Sequence, residues 1–99
     1  MTPYTLRLSR AAEEDLIRLY AFLLDQDPAS ALAAEEAIER GFALLRINPF
    51  ICRRAVGAAA RIRELVIGFG RAGYLALVEI DADTVTVLAV RHQREDDYH

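Results

Sequence analysis

Two short runs of the chain carry side chains suited to phosphate chemistry: Arg61, Arg63 and Glu64 in one, and Arg91, His92 and Arg94 in the other. A guanidinium presents paired N–H groups that match a phosphate, and an imidazole can gain or lose a proton near neutral pH. Brought together at one end of a sheet, these groups make a metal-independent ribonuclease site, with arginine holding the phosphate and His92 moving a proton. The plainer reading pairs the arginines with Glu64, Glu79 or the acids of a partner and leaves His92 as a hydrogen-bonding cap on the sheet. We prefer the plainer reading.

The remaining candidates are weaker. His92 and His99 with Asp96 and Asp97 cluster at the end of the chain, but their spacing matches no zinc motif, so neither a metal nor a cofactor is expected. Cys52 has no histidine near it in sequence and reads as a small hydrophobe rather than a nucleophile. Gly68, Gly70 and Gly73 lie between two strands with no helix after them, which excludes a phosphate-binding loop. They read as turn glycines.

Charge narrows the field further. Twelve basic residues against fifteen acidic ones leave a net charge of −3, the wrong sign for a general nucleic-acid binder, although it is compatible with a local basic patch. All twelve are arginine, which excludes lysine-based Schiff-base, nucleophilic and general-base chemistry. At 99 residues, 54% hydrophobic and 27% charged, the chain reads as a single globular domain spanning residues 1–99. No uncharged stretch approaches the ~20 apolar residues of a membrane span. The opening MTPYTLRLSR lacks a secretory pattern, and a lone cysteine fits a reducing compartment. A cytoplasmic protein without membrane contact is expected.

Periodicity supplies the elements that must position these residues. Tyr4, Leu6 and Leu8 alternate with Thr5, Arg7 and Ser9, a short half-buried strand. Ser9 is a good N-cap, and Glu13, Glu14 and Asp15 suit the positive end of a helix dipole. Leu16, Ile17, Tyr20, Leu23 and Leu24 then recur at helical spacing, giving a helix over residues 10–25. Asp27 and Pro28 open a second helix through Ala34, Ile38, Gly41, Phe42 and Leu45, and Asn48 with Pro49 stops it. The short connection makes the two an antiparallel helical hairpin.

Residues 49–60 read as an irregular loop. Residues 61–67, 73–80 and 84–91 read as a three-stranded antiparallel meander with turns at 68–71 and 81–83, the apolar run from Tyr74 to Val78 lying at the centre of the sheet. The tail from His92 reads as polar and irregular. Strand, helical hairpin and meander together are an α+β fold, with the hairpin on one sheet face and the first strand pairing at one side of the meander. The other face, the loop after Asn48 and the tail are left for function.

Five stretches follow one another in a known order: Leu-x-Leu-Ser-x-x-Ala-x-x-Asp-Leu (Leu6 to Leu16); Ile38 with Leu45 and Pro49; Ile62-Arg63-Glu64-Leu65; Gly73-Tyr74-x-Ala-Leu-x-Glu-Ile; and Val87 to Glu95, ending His92-Gln93-Arg94-Glu95. In these, over nearly its full length, the chain resembles the ParE/RelE superfamily of type II toxins, and especially its ParE branch. The resemblance implies a bacterial, growth-inhibiting toxin neutralised by a cognate antitoxin. RelE-like members cut messenger RNA on the ribosome, whereas ParE-like members poison DNA gyrase. An arginine common at the start of the third strand falls here on Leu75. That replacement, the absence of lysine and the net acidity favour the ParE branch, hence a protein that binds gyrase, contacts DNA only through its antitoxin and performs no chemistry.

The alternative is a RelE-like endoribonuclease using Arg61, Arg63, His92, Arg94 and Tyr98, or an inactive relative that binds only its antitoxin. In each case the resemblance implies an antitoxin segment folding over apolar surface between helical hairpin and sheet. Leu16, Tyr20, Leu23, Phe42, Leu45 and Tyr74 are the residues expected to receive it, although Leu16, Tyr20, Leu23, Phe42 and Leu45 fit the pattern of an ordinary intramolecular core better. Pro49 is followed by Phe50-Ile51-Cys52-Arg53-Arg54 where many members carry a Gly-Arg pair, and Val78 replaces a common aromatic. The loop is where this chain departs from the pattern.

Overall fold

Each helix starts and stops on side chains that lie next to it in sequence. In the computed structural model, which describes residues 2–55, 57–95 and 98, the Ser9 hydroxyl accepts the Ala12 N–H at 3.0 Å and opens α1 (Arg10–Gln26). The Asp27 carboxylate accepts the Ala29 N–H at 3.1 Å and the Ser30 hydroxyl at 2.9 Å, opening α2 (Pro28–Ile47). The Asn48 side chain accepts the Phe50 N–H at 3.2 Å and turns the chain into a 3₁₀ turn, Pro49–Ile51. Each cap contributes about 1 kcal/mol.

The strands are β1 (Thr5–Leu8), β2 (Arg53–Arg54), β3 (Ile62–Phe69), β4 (Ala72–Ile80) and β5 (Thr84–His92). They form one sheet in the order β1-β5-β4-β3-β2, with β1 parallel to β5 and every other pair antiparallel. The α+β arrangement is the expected one, but the segment after Pro49 is not wholly irregular. Arg53 and Arg54 pair with Glu64 and Arg63 and add a fifth strand, held by an ion pair of 2.5 Å from Arg53 to Glu64.

The glycines also differ from expectation. Only Gly70, at φ 62°, sits in the two-residue β3–β4 turn, where a left-handed residue is needed. Gly68 and Gly73 face each other within the ladder. A Cβ on Gly73 would lie 2.0 Å from the Ile67 carbonyl oxygen, so this strand position excludes any side chain.

The core lies between the helical hairpin and one sheet face. Leu65, Ile67, Tyr74, Ala76, Val78, Val85, Val87 and Val90 pack there against Ala12, Leu19, Ile38, Phe42 and Leu45. Val87 pairs with Val78 but Ala89 pairs with Leu77, so Leu88 is an extra residue in β5. That bulge allows Val87 and Val90, three apart, both to face the helices.

β1 covers the outer edge of β5 only from Thr84 to Val87. Beyond that the helix takes over. The Ser9 N–H donates to the Val87 carbonyl at 2.9 Å, the Ser9 hydroxyl to the Leu88 carbonyl at 2.8 Å, and the Val90 N–H to the Asp15 carboxylate at 2.9 Å. Asp15 is 4% exposed, the one buried charged side chain among the described residues. It therefore satisfies a strand edge rather than a helix dipole, contrary to its expected part as one of several acids in the first turns.

Gly73→Ala is expected to lower the unfolding free energy by about 3 kcal/mol, because the backbone must shift to admit the methyl. Gly68→Ala, where nothing lies within 4 Å of the added Cβ, is the control and should cost less than about 1 kcal/mol in the same urea titration.

Candidate functional site

Strand alternation divides the candidate residues between the two faces of the sheet. On β3, Arg63 shares the helix-facing side with Leu65 and Ile67, while Glu64 and Val66 face away. On β5, His92 follows Val90 toward the helices and Arg91 faces away.

A charged cluster forms on the face away from the helices. Glu64 accepts the Tyr98 hydroxyl, and also Nε and Nη2 of Arg53 at 2.8 and 2.5 Å. The Arg91 guanidinium lies 5.0 Å from the centre of the Tyr98 ring and donates to the Glu95 carbonyl. Its Nε is buried without a hydrogen-bond partner. Burial pushes the Glu64 carboxyl up, but the Tyr98 hydroxyl and the Arg53 hydrogen bonds, with the charges of Arg53 and Arg91, outweigh it and hold the group below its ordinary value. Burial, reinforced by the Glu64 carboxylate, pushes the Tyr98 phenol well above its usual range.

The other nuclease candidates lie elsewhere. Arg61 pairs with Glu79 at 3.0 Å. Glu79 is five residues along β4 from Tyr74, the register partner of His92, a separation of roughly 16 Å at ~3.3 Å per residue. Arg63 stacks 5.4 Å from the centre of the Phe50 ring and reaches the Cys52 carbonyl at 3.4 Å, with its Nε buried and unpartnered. Burial pushes the neighbouring Cys52 thiol up to about 11 against the opposing charge of Arg63, so it stays protonated and unreactive. His92 turns its ring edge-on to Tyr74 at 5.4 Å, and its Nδ1 accepts the Arg94 N–H at 3.1 Å. Arg61, Arg63, His92, Arg94 and Tyr98 thus do not converge. Asp96, Asp97 and His99 lie outside the described residues; among the described residues no group of three or more His, Cys, Asp or Glu could hold a metal ion.

Two clefts open beside the sheet. One, of about 360 Å³, runs between α2 and β3 and is lined by Arg40, Gly41, Leu44, Ile51, Arg53 and the stretch from Glu64 to Gly68. The other, of about 470 Å³, lies between the second half of α1, Phe69, Tyr74 and the end of β5. Of the residues expected to receive an antitoxin, Phe42, Leu45 and Tyr74 are 8%, 0% and 2% exposed, packed by this chain's own helices and sheet. Leu16, Tyr20 and Leu23 are half-buried along α1. Burial and then the charges of Glu35 and Glu39, both on α2, push the Tyr20 phenol up to about 12.

With this geometry in hand, the comparisons with known proteins are consistent. The profile of the ParE toxin of the type II toxin–antitoxin system parDE matches residues 6–97. The chain belongs to that family of type II toxins. Among solved structures it is similar to a chain of the chromosomal ParDE toxin–antitoxin system from P. aeruginosa, at 19% identity and TM-score 0.72, covering 90% of this chain and 95% of that one. It is also similar to a chain of the RelBE2 toxin–antitoxin complex from Mycobacterium tuberculosis, at 26% identity and TM-score 0.64, covering 96% and 97%. No curated protein matches it.

The Glu64 cluster predicts a pH dependence. Its folded value lies below the ordinary 4.5, so its contribution to stability is complete above that pH and is lost as pH falls through the lower folded value. Glu64→Gln should flatten the acid limb of stability below about 4.5, read from urea midpoints across that range.

Proposed function

We propose that this protein is a growth-inhibiting cytoplasmic toxin that acts by binding DNA gyrase and is silenced by a cognate antitoxin. The observation that carries the binding reading is the dispersal of the five nuclease candidates over two faces and both ends of the sheet, where no nucleotide reaches them together. A net charge of −3 adds to it, because docking into the phosphate-rich ribosome calls for the opposite sign. Membership of the ParE family supports the gyrase target over messenger RNA.

One observation favours the nuclease reading instead. Arg91, Tyr98, Glu64 and Arg53 do meet on the face away from the helices, and Arg91 keeps an unpartnered Nε there. The two readings separate in one experiment. Purified toxin with gyrase and supercoiled plasmid is expected to accumulate linear DNA, and induced cells to show DNA breaks with intact messages. His92→Ala should leave this effect within about threefold of wild type, a change of less than about 0.7 kcal/mol. Cleaved messages without breaks would establish the nuclease.

For the antitoxin, the free edge of β3 is the surface best suited to an extended segment. β2 pairs only with Arg63 and Glu64, so among the described residues the backbone from Leu65 to Phe69 has no strand on that side. The α2–β3 cleft runs beside it, with Leu44 and Ile51 offering apolar contact at 52% and 49% exposure and Arg40 and Arg53 offering charge. An antitoxin segment that adds a strand here carries apolar side chains flanked by acids. Leu44→Glu, exposed enough to leave the fold intact, is expected to weaken antitoxin affinity at least about tenfold by calorimetry. Unchanged affinity would move the interface to another surface.

A further inference from the structure

The cleft between α1 and the end of β5 has a donor set that belongs to none of the roles above. Its walls are apolar, formed by Leu19, Phe22, Leu23 and Phe69. The aromatic side is ordered, with Phe69 and Tyr74 ring centres 6.1 Å apart and the His92 ring edge-on to Tyr74 at 5.4 Å.

Three residues that carry donor groups, Tyr74, His92 and Arg94, line the same cleft. His92 Nδ1 accepts the Arg94 N–H at 3.1 Å, so the proton of the neutral imidazole sits on Nε2. Among the described residues neither that Nε2–H, nor the Tyr74 hydroxyl, nor the Arg94 guanidinium has a hydrogen-bond partner. The carboxylate at the rim is already engaged: Glu95 Oε2 accepts from Arg18 at 3.1 Å and Oε1 accepts the His92 N–H at 2.8 Å. Donors without free acceptors, over an aromatic floor, select a ligand that is flat, apolar and anionic. An aliphatic side chain from a protein partner would leave all three donors unmet, at a cost that disfavours it. A volume of about 470 Å³ suits a small molecule.

We propose that this cleft binds a small aromatic carboxylate, with its ring against Phe22, Phe69 and Tyr74 and its carboxylate held by His92 Nε2, the Tyr74 hydroxyl and Arg94. The site is independent of what the toxin targets.

The chain contains no tryptophan, so the polarisation of indole-3-acetate fluorescence reads binding without background. Saturable one-site binding is expected, at least about tenfold weaker for the neutral indole-3-acetamide and lost for the cationic tryptamine. Arg94→Ala, an exposed position, and Phe22→Ala, 65% exposed, should each weaken the acid about tenfold while the far-UV spectrum and melting temperature stay unchanged. Equal binding of acid, amide and amine overturns the proposal, as does an affinity insensitive to Arg94→Ala. Absence of saturable binding overturns it too; if the Tyr74 and His92 NMR signals then move only on adding the antitoxin, the cleft is a side-chain anchor for that protein.

Discussion

The outer edge of β5 is closed by a strand for half its length and by a helix for the rest. β1 ends at Leu8, the chain turns through Ser9, and from there Ser9 and Asp15 supply the hydrogen bonds that a longer strand would have made. A buried N–H left unpaired costs about 1–3 kcal/mol, so the Val90 amide requires an acceptor at that spot. The acceptor is a carboxylate on the second turn of α1, which ties the helix to one register along β5. The bulge at Leu88 belongs to the same arrangement, because it turns the Leu88 carbonyl to the Ser9 hydroxyl while Val87 and Val90 stay in the core. With α1 fixed, the hairpin places α2 over β3, and both clefts follow from where those helices end up.

An arginine-only set of cations fits what the arginines do. Arg10, Arg18, Arg53 and Arg61 pair with carboxylates, but Arg63 and Arg91 lie against the rings of Phe50 and Tyr98. A planar, weakly hydrated guanidinium can stack on an aromatic ring while its edge still donates, whereas an ammonium holds its water more strongly and lacks a flat face. In a half-buried setting that difference decides which cation the fold tolerates. Arg91 shows both uses at once, stacking on Tyr98 and donating to the Glu95 carbonyl. These arginines pin the tail and the loop to the sheet, so their guanidiniums serve the fold as well as adding to the chain's charge.

Much of the fold was legible because it is local. Ser9, Asp27 with Pro28, and Asn48 with Pro49 act on residues two or three positions away, and each marks the end it should. Asp15 was not legible as an edge acceptor, since its partner Val90 is 75 positions distant and a carboxylate early in a helix has a simpler local explanation. β2 escaped notice because two exposed arginines carry no alternation; only the register opposite Glu64 and Arg63 makes them a strand. The scattering of the nuclease candidates was partly readable. Arg63 and Glu64 are neighbours on one strand, as are Arg91 and His92 on another, so period-two alternation alone separates each pair onto opposite faces. What alternation does not give is the distance along the sheet between Arg61 and His92, which depends on the register of β3, β4 and β5.

A sheet of this size has two faces and two edges, and most of them are taken. The helices occupy one face, Tyr98 reaches over part of the other to Glu64 and Arg91, and α1 closes the edge beyond β1. Among the described residues, the stretch of β3 beyond β2 is therefore where the backbone still has hydrogen bonds to give, and the large apolar side chains left exposed nearby, Leu44, Ile51 and Val66, surround it. An unprotected edge beside apolar surface is ordinarily an aggregation hazard that folds suppress with charges, bulges or a covering element. Here the covering element is not in the described chain, and Arg40 and Arg53 are the charges flanking the gap. On the proposed reading, a toxin held in complex until release has no need to protect that edge itself, because the segment that silences it would also cover it. The same exposure that makes the edge a liability in the free protein thus makes it the most specific surface the fold has to offer a partner strand.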